Sequence, residues 1–490
     1  MIEVGGYNDF LVKELSWAEN KGAMALSRIW SAFIIISVLV GVGRVLLTDN
    51  KVVFSSMVTG KAGDTVKLVK TDTTAVSAAF LRSLDSNKTV AVYDRQVMRA
   101  PDGQLQYYQL QNADGIIETC KSAVTISIGL IGIMALFMGF MSIAERAGGI
   151  RLLSRIIGPF ISKLFPELPK DHPAMGHMVM NFSANLMGLD NAATPFGIKA
   201  MQSLQELNPH KERASNAEIM FLCLHASGLT LIPVSIIAVR ASVKPASANP
   251  TDIFIPCIIA TFVATVAAML IVSFRQKINI FQPVIMGWIG GISVLFALLV
   301  TYLTRLKADD VQAFSAVWSN VIILAIFFFI IIGALYKNIN IFDAFIDGAK
   351  GGFETAIRII PYLVGMLVAI SMLRTSGTFD TVIEGMKRMF AAFGTDTRFV
   401  DGLPTALIRP LSGSGARGMM IDTMKAHGAD SFAGRLSSIL QGSSDTTFYV
   451  IAVYFGAVSV KDTRYAVGAM LLADLVGILT SILLCYLFFG

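Results

Sequence analysis

Apolar runs long enough to cross a membrane alternate with short polar segments along most of this chain. A hydrocarbon core of about 30 Å requires a helix of roughly 20 mainly apolar residues. The runs therefore predict nine membrane crossings, at residues 29–47, 123–143, 217–239, 253–274, 280–303, 316–336, 355–373, 443–460 and 465–489.

Two further apolar segments, residues 174–203 and 400–425, are interrupted by Gly, Pro, Asn and Ser. Backbone that is not helical survives at membrane depth only where protein or a water-filled cavity satisfies its polar groups. We therefore predict that both segments are re-entrant hairpins, which enter the membrane and leave on the same side. The predicted fold class is an all-α polytopic membrane protein with two such hairpins.

Several patterns of small and polar residues occur twice, once in each half of the chain. Two halves with even numbers of crossings need one extra crossing to invert the second, and residues 280–303 supply it. We therefore predict an inverted-topology repeat, an arrangement common among secondary transporters. The recurring patterns are Glu118-Thr119 with Gly129 and Glu354-Thr355 with Gly365, Thr194 and Ser414, and His225–Thr230 and Gln441–Thr446.

The distribution of basic residues predicts the orientation. Five arginines and lysines lie between residues 145 and 170, and the positive-inside tendency places that segment in the cytoplasm. The N-terminus then lies in the cytoplasm and the C-terminus outside. The predicted segments are a cytoplasmic amphipathic N-terminus (1–28), a first membrane helix (29–47), an extracytoplasmic insert (48–116), a first repeat (117–279), an inverting helix (280–303) and a second repeat (304–490).

Two segments outside the predicted crossings have patterns of their own. Residues 8–27 fit either an amphipathic helix on the inner membrane surface or a solvated helix. The insert contains short alternating runs, which predict a small extracytoplasmic β-containing domain. These runs are Thr65–Val69, Thr89–Tyr93 and Leu105–Leu110.

Composition excludes several classes of protein. With 54% hydrophobic and 15% charged residues in a chain of 490, the protein is too apolar to be soluble. The net charge of +6 is carried by residues that flank apolar runs, so we predict no nucleic-acid partner. The four cysteines lack metal-ligand spacing, and no nucleophile–base pair occurs at usable spacing. We therefore expect no metal, no cofactor and no enzymatic activity.

The first hairpin carries four neutral polar residues suited to binding a solute, Asn181, Ser183, Asn185 and Asn191. Thr194 has the chemistry of a helix N-cap and Pro195 suits the first helical position, so a half-helix is predicted to begin there with free N–H groups. Such an end can hold an anionic or polar group. The alternative is that these residues only cap the break and join helices.

The second hairpin contains Arg409, Ser412, Ser414 and Arg417 in a glycine-rich stretch. Glycines let the backbone bend so that successive N–H groups converge, and the arginines add positive charge, which favours an anion site. The alternative for both arginines is that they extend to the membrane interface. The stretch lacks the ending of a phosphate-binding P-loop, so we infer no ATP motor in this chain.

The crossings 217–239 and 443–460 contain polar breaks. His225 and Ser227 in the first, and Gln441, Ser443, Ser444 and Thr446 in the second, are predicted to contact the solute. Ionisable residues at membrane depth usually mark a site, so Asp445, Asp190 and Asp474 are candidates for coupling to Na⁺ or H⁺. Other readings stay open: Asp445 caps a half-helix, Asp474 accepts hydrogen bonds between helices, and His225 only joins helices.

Long motifs in both halves resemble known families. Residues 117–274 resemble spore maturation protein A, and residues 316–489 resemble spore maturation protein B. Both belong to the nucleoside-recognition Gate group, which is similar to parts of concentrative nucleoside transporters and of ferrous iron transporter B. The resemblance implies a Gate fold in the bacterial cytoplasmic (inner) membrane. It is carried by residues 169–176, 181–201, 359–370, 408–415 and 441–449.

The sequence thus predicts an ion-coupled secondary transporter of a small polar or anionic solute, nucleoside-like or a small carboxylate. The alternative is a membrane scaffold or receptor in envelope or spore maturation that binds a ligand without moving it. The predicted partners are the solute and the lipid bilayer, and homo-oligomerisation is left open.

Overall fold

The structure, a computed structural model, describes residues 28, 30–47, 52–60, 67–71, 90–92, 95–99, 105–109, 115–169, 172–187, 190–243, 246–306 and 308–490. Residues 8–27 therefore lie outside it. The helices are α1 (Trp30–Leu47), α2 (Val53–Thr59), α3 (Ile116–Arg146), α4 (Gly149–Leu164), α5 (Pro173–Leu186), α6 (Asp190–Leu207), α7 (Asn216–Ala226), α8 (Val234–Ser242), α9 (Phe254–Gln276), α10 (Pro283–Leu303), α11 (Ala308–Tyr336), α12 (Ile341–Thr375), α13 (Thr378–Ala392), α14 (Leu403–Ile408), α15 (Gly413–His427), α16 (Phe432–Gly442), α17 (Thr447–Gly456) and α18 (Ala466–Phe489).

Among the described residues, seven helices are long and apolar enough to cross a membrane. They are α1, α3, α9, α10, α11, α12 and α18, and each coincides with one of the predicted crossings. The protein is therefore a multi-pass membrane protein in a lipid bilayer. Their length and apolar composition alone make them recognisable in the sequence.

Each of the other two segments that the sequence predicts as crossings contains two short helices (a broken crossing) instead of one long helix. Helices α7 and α8 are separated by a break at residues 227–233, and helices α16 and α17 by a break at 443–446. The predicted range 443–460 was wrong, because the second broken crossing begins at Phe432. Its first half carries Ser437, Ser438 and Gln441, which are buried against protein and interrupt the apolar run.

The broken crossings have matching ends. Ser215 and Ser431 are the N-caps of α7 and α16, and each accepts a hydrogen bond from a backbone N–H three residues later. Ser227 and Ser443 occupy the C-caps, and each hydroxyl donates to the carbonyl three residues earlier. The sequence spacing from Ser215 to Ser431 equals that from His225 to Gln441. The recurring sequence pattern is thus a recurring structure.

Equivalent helices of the two halves pack side by side in opposite directions. Gly348 of α12 packs on Met138 and Ser142 of α3, whereas Gly352, one turn later, packs on the earlier residues Met134 and Ala135. Helix α12 therefore runs antiparallel to α3. Absence of a side chain at both glycines allows this close approach.

The last helices of the halves, α9 and α18, are antiparallel as well. Gly477 packs against Ala264 near the middle of the pair. The end of α9 meets the start of α18, where Gln276 Nε2 donates to the Tyr465 hydroxyl at 2.8 Å. Antiparallel pairing of equivalent helices is the geometry that an inverted repeat requires.

Two helical hairpins approach the breaks from opposite ends of the broken crossings. In the first, α5 and α6 have their open end near the start of α7, and Leu231 N of the break donates to Leu186 O at 2.9 Å. In the second, α14 and α15 have their open end near the start of α16, and Phe448 N donates to Pro410 O at 3.0 Å. Each hairpin tip thus contacts a break.

A buried charge network joins the halves at one end of the broken crossings. Arg240, at the end of α8, is fully buried and bonds to Asp252 at 2.8 Å and Asp430 at 3.1 Å. Arg435 of α16 bonds to the other Asp252 oxygen at 2.8 Å. At the opposite end the pairing of Arg213 with Asp462 is exposed. The two ends are therefore closed by contacts of very different burial.

The insert contains an antiparallel four-stranded sheet, of order β1-β4-β3-β2. Each of the three runs singled out in the sequence overlaps a strand, whereas β3 lies in a segment that was not singled out. The strands are β1 (Lys67–Thr71), β2 (Val90–Val92), β3 (Arg95–Arg99) and β4 (Leu105–Gln109). This sheet accompanies an otherwise mainly helical fold.

Candidate functional site

The two breaks lie against each other and are joined through their backbones. Asp445 N in the second break donates to Ala226 O at the start of the first, at 2.8 Å. Gly228 has a φ of 65° and lies so close that a Cβ there would be 3.1 Å from Asp445 N. Only glycine adopts this conformation in so little space without strain. The interrupted backbones therefore meet at a defined point between the halves.

His225 is the centre of a polar cluster at this point. Its Nδ1 lies 3.0 Å from Asn181 Oδ1 and 2.8 Å from the amide of Asn185, both on helix α5. Asn181 also donates from Nδ2 to Ala193 O at 2.7 Å. On the other side of the ring, Nε2 lies 3.9 Å from Asp445 Oδ2. Residues from the first hairpin and from both breaks are thus brought together.

Asp445 is the accessible acid of the cluster. Its side chain is 42% exposed, whereas that of His225 is 5% exposed. Asp445 Oδ1 accepts a hydrogen bond from Thr446 N at 2.7 Å, just before helix α17. Thr446 itself occupies the N-cap position of that helix. Asp445 therefore satisfies one free N–H at the helix start and still presents an oxygen toward His225.

Arg409, at the tip of the second hairpin, contacts the other face of the second break. Its Nε donates to Ser444 O at 2.9 Å, Nη2 also donates to that carbonyl, and Nη1 lies 3.4 Å from Thr446 Oγ1. The guanidinium thus satisfies a carbonyl that the break leaves outside helical bonding.

The start of helix α15 completes this second cluster. Ser412 is the N-cap and accepts from Gly415 N at 3.0 Å, and its hydroxyl lies 3.3 Å from that of Ser414. A Cβ at Gly413 would lie 2.8 Å from Thr446 Oγ1, so the helix start and the break are in direct contact. The N-terminus of α15 points its dipole at the same region.

Gln441 lies in the last turn of α16, just before the second break, with half of its amide unpaired. Its side chain is 4% exposed, and Nε2 is 3.4 Å from Gly413 O. Within the described part of the chain, Gln441 Oε1 is buried and has no hydrogen-bond partner. A buried acceptor without a partner carries a desolvation cost of about 1–3 kcal/mol. Such an atom is a natural position for a donor group of a ligand.

The structure assigns local contacts to several other predicted residues. Ser183 bonds to Val179 O and Ser154, away from the breaks. Ser227 bonds to Thr265 of α9, and Ser443 bonds within its own helix. Asp474 accepts from Thr447 Oγ1 at 2.5 Å, the contact that the reading as an interhelical acceptor requires.

The start of the second helix in the first hairpin was predicted wrongly. Helix α6 begins at Asp190, and Pro195 lies inside it. Thr194 is therefore not an N-cap. Pro195 is the sixth residue of α6, so its missing N–H leaves the carbonyl of the second residue without its helical hydrogen bond. Asp190 and Asn191 lie in that first turn, and their side chains are outside the described part of the structure.

Tyr454 is a site residue that the sequence analysis missed. Its ring centroid lies 4.7 Å from that of His225, and its hydroxyl hydrogen-bonds Thr194 of the first hairpin. Tyr454 lies two turns after Thr446 on α17, on the face toward the first half. This helical spacing can be read from the sequence. The sequence does not show that Tyr454 contacts His225 and Thr194 of the first half.

Among the residues that the structure describes, no group of three His, Cys, Asp or Glu side chains could hold a metal ion. The four cysteines are free, and three are buried. The polar region at the breaks therefore consists of amides, hydroxyls, one imidazole, one accessible carboxylate and Arg409. This set can bind a polar solute, and it can bind and release a proton.

The Gate family, described as nucleoside recognition, matches residues 127–274 and 356–461. These ranges make up just over half of the chain, and each contains part of a long helix (α3 or α12), one hairpin and one broken crossing, while the first also includes most of α9. The chain belongs to the Gate family. The Gate match falls once in each half, as the antiparallel helix pairs already indicated.

Two curated relatives from Bacillus subtilis (strain 168) extend the Gate assignment. Spore maturation protein A is 46% identical over 158 residues, which are 32% of this chain and 80% of the relative. Spore maturation protein B is 49% identical over 154 residues, which are 31% of this chain and 85% of the relative. Each match covers about a third of this Gate protein, which agrees with a fusion of an A-like and a B-like sequence.

Proposed function

We propose that this protein is a secondary transporter that moves a small polar or anionic solute across the bacterial inner membrane, coupled to an ion. The solute is nucleoside-like or a small carboxylate. It binds where the two breaks meet, between the tips of the two hairpins. The hairpins are re-entrant, the N-terminus is cytoplasmic, and the C-terminus is extracytoplasmic.

One observation carries the proposal: two broken helices from antiparallel halves meet at unpaired polar groups. Asp445 N bonds to Ala226 O across the halves, and Gln441, in the last turn of α16 before the second break, has a buried Oε1 without a partner among the described residues. Broken helices that meet at a repeat interface are the usual site of substrate and ion binding in secondary transporters. A scaffold that only joins helices has no need of an unpaired buried acceptor.

The chemistry of the site supports the solute class. Asn185 and Gln441 offer amide groups, which suit the donor and acceptor edges of a base or a sugar. The N-terminus of α15 and Arg409 favour negative charge on the opposite side. The family's description as nucleoside recognition agrees with a solute of this kind.

Equilibrium counterflow in proteoliposomes tests the proposal. Purified protein is first screened by thermal shift with nucleosides, nucleobases and small carboxylates, because a ligand at a hundred times its Kd stabilises by about 2.7 kcal/mol. Liposomes are then loaded with unlabelled uridine or succinate and diluted into the labelled compound. Transient accumulation of label, absent from protein-free liposomes and reduced by Gln441→Ala, supports transport. Binding without any exchange would contradict it and favour a receptor.

A further inference from the structure

The two ring nitrogens of His225 face two acceptors. Asn181 donates from Nδ2 to Ala193 O at 2.7 Å, and this orients its amide so that Oδ1 lies 3.0 Å from His225 Nδ1. An amide oxygen accepts hydrogen bonds and cannot donate them. His225 Nδ1 must therefore carry a hydrogen to satisfy Asn181. Asn185 Nδ2 lies 2.8 Å from the same ring nitrogen, and a hydrogen on Nδ1 requires this amide to turn so that its oxygen accepts. Among the described residues the Asn185 side chain has no second partner that opposes this turn.

The other nitrogen faces a carboxylate of the second half. His225 Nε2 lies 3.9 Å from Asp445 Oδ2. A neutral imidazole has one N–H, and with that hydrogen on Nδ1 the Nε2 lone pair points at an ionised carboxylate, which also only accepts. One additional proton, on Nε2 or on the carboxyl group, turns two facing acceptors into a donor and an acceptor. At 3.9 Å the atoms are at ion-pair distance and are not hydrogen-bonded, so the contact between the halves is attractive only when this proton is bound.

We infer that His225 and Asp445 form a proton-binding site between the two halves, and that its proton is the coupling ion of the transport cycle. This inference rests on the transport function proposed above. Asp445 is 42% exposed and His225 is 5% exposed, so the proton arrives from the carboxylate side. A carboxylate–imidazolium contact that bridges the halves ties the bound proton to their relative position.

Other titratable groups near the pair are engaged elsewhere. Tyr454 of α17 meets the His225 ring at its edge and bonds to Thr194. Asp474 of α18 accepts from Thr447, and Arg409 of α14 bonds to Ser444 O. Asp445 is therefore the acid that directly faces the ring nitrogen. Tyr454, Asp474 and Arg409 contribute only to the electrostatic potential around the pair.

The site is tested by ¹⁵N-histidine NMR on the full-length protein in liposomes between pH 5 and 9. The His225 signal is assigned by its loss in His225→Asn. In Asp445→Asn we expect the midpoint of ring protonation to move to lower pH by about one unit or more, because the partner that favours the charged ring is gone. Asparagine keeps an acceptor for Thr446 N, so the fold is retained.

Asp462→Asn, at the exposed end of the broken crossings, is the matched control and should leave the midpoint unchanged. An unchanged midpoint in Asp445→Asn, or a shift in Asp474→Asn instead, would overturn the proton site. Liposomes loaded with a pH-sensitive dye then test coupling: external uridine or succinate should acidify the lumen with the parent protein and not with Asp445→Asn. If the NMR shift is present but neither compound is exchanged, the proton site stands and the transport proposal fails. If exchange occurs with an unchanged midpoint, the reverse holds.

Discussion

Single residues decide how closely the two breaks can approach. Gly228 combines a left-handed backbone with contact to the second break. Gln441 and Asn181 are both buried amides, yet one is half unpaired and the other is fully engaged. We therefore expect Asn181 to contribute mainly to stability and Gln441 mainly to binding.

Replacing Gly228 should destabilise the junction of the breaks. In Gly228→Ala, the left-handed backbone costs about 1–2 kcal/mol, and the new Cβ crowds Asp445. We expect a lower Tm in detergent than for the parent protein. Gly158→Ala is the control, since a Cβ there meets nothing within 4 Å. An equal Tm for the two variants would contradict the close approach.

Gln441 and Asn181 should separate binding from stability. In Gln441→Ala an unpaired buried acceptor is removed, so the Tm without ligand should stay unchanged or rise, while the thermal shift given by a bound solute is lost. In Asn181→Ala two satisfied bonds are broken, which costs about 1–3 kcal/mol. Thermal shift with and without the solute measures both effects. A large loss of Tm in Gln441→Ala alone would show that its amide is structural.

At the scale of elements, the matching serine caps define the start of each broken crossing. Ser215 forms a capping box with Glu218, and Ser431 caps α16 through Gly434 N. A cap fixes the residue at which a helix begins. Since α7 and α16 are each eleven residues long, the cap also fixes which residues lie at the break. The caps thus influence the site although they lie at the opposite ends of α7 and α16 from the breaks.

Removing either cap should have a similar effect. Ser215→Ala and Ser431→Ala should each cost about 1 kcal/mol of unfolding free energy. Denaturant unfolding in micelles measures this loss. Ser162→Ala is the control, because Ser162 is exposed and bonds only within its own helix. A loss in one half alone would contradict the structural equivalence of the caps.

The elements also show what sequence can and cannot predict. Long helices such as α9 are recognisable because their length and apolar composition suffice. The start of the second broken crossing was misplaced because Ser437 and Ser438 of α16 are satisfied by hydrogen bonds within their own helix, which a search for apolar runs does not detect. The contacts of His225 with Asp445 and of Arg240 with Asp430 join residues far apart in the chain. Such contacts depend on how the two halves pack. The sequence around one residue of a pair contains no pattern that identifies its partner in the other half.

For the whole molecule, the difference in burial between the two ends should appear as a difference in energy. In Arg240→Gln the buried Asp252 and the partly buried Asp430 each lose a charged partner, and breaking a buried pair costs about 3–5 kcal/mol. In Arg213→Gln an exposed pair with Asp462 is lost, which costs roughly 0–1 kcal/mol. Unfolding in detergent compares the two variants. Similar losses would mean that the Arg240 network does not hold the halves together.

The antiparallel halves predict the sidedness of the loops. Glu212 lies before α7, near Lys461. Thr395 precedes Arg398, whose guanidinium lies over the ring of Phe432 at the start of α16, the other end of the broken crossings. In a background without the four native cysteines, Glu212→Cys should react with an impermeant maleimide from the cytoplasmic face and Thr395→Cys from outside. Inside-out and right-side-out vesicles distinguish the two. Labelling of both from one face would contradict the inverted repeat.

Helix α10 joins the halves and contributes little to their packing, since Ile285 and Leu303 are its buried residues. Its covalent connection has a consequence for biosynthesis. Two halves made as separate chains must meet by diffusion in the membrane, each having reached its own orientation. A covalent connection turns that encounter into an intramolecular one at high effective concentration. With one connecting helix, each round of synthesis produces one copy of each half. The same helix allows the second half to insert in the opposite orientation to the first.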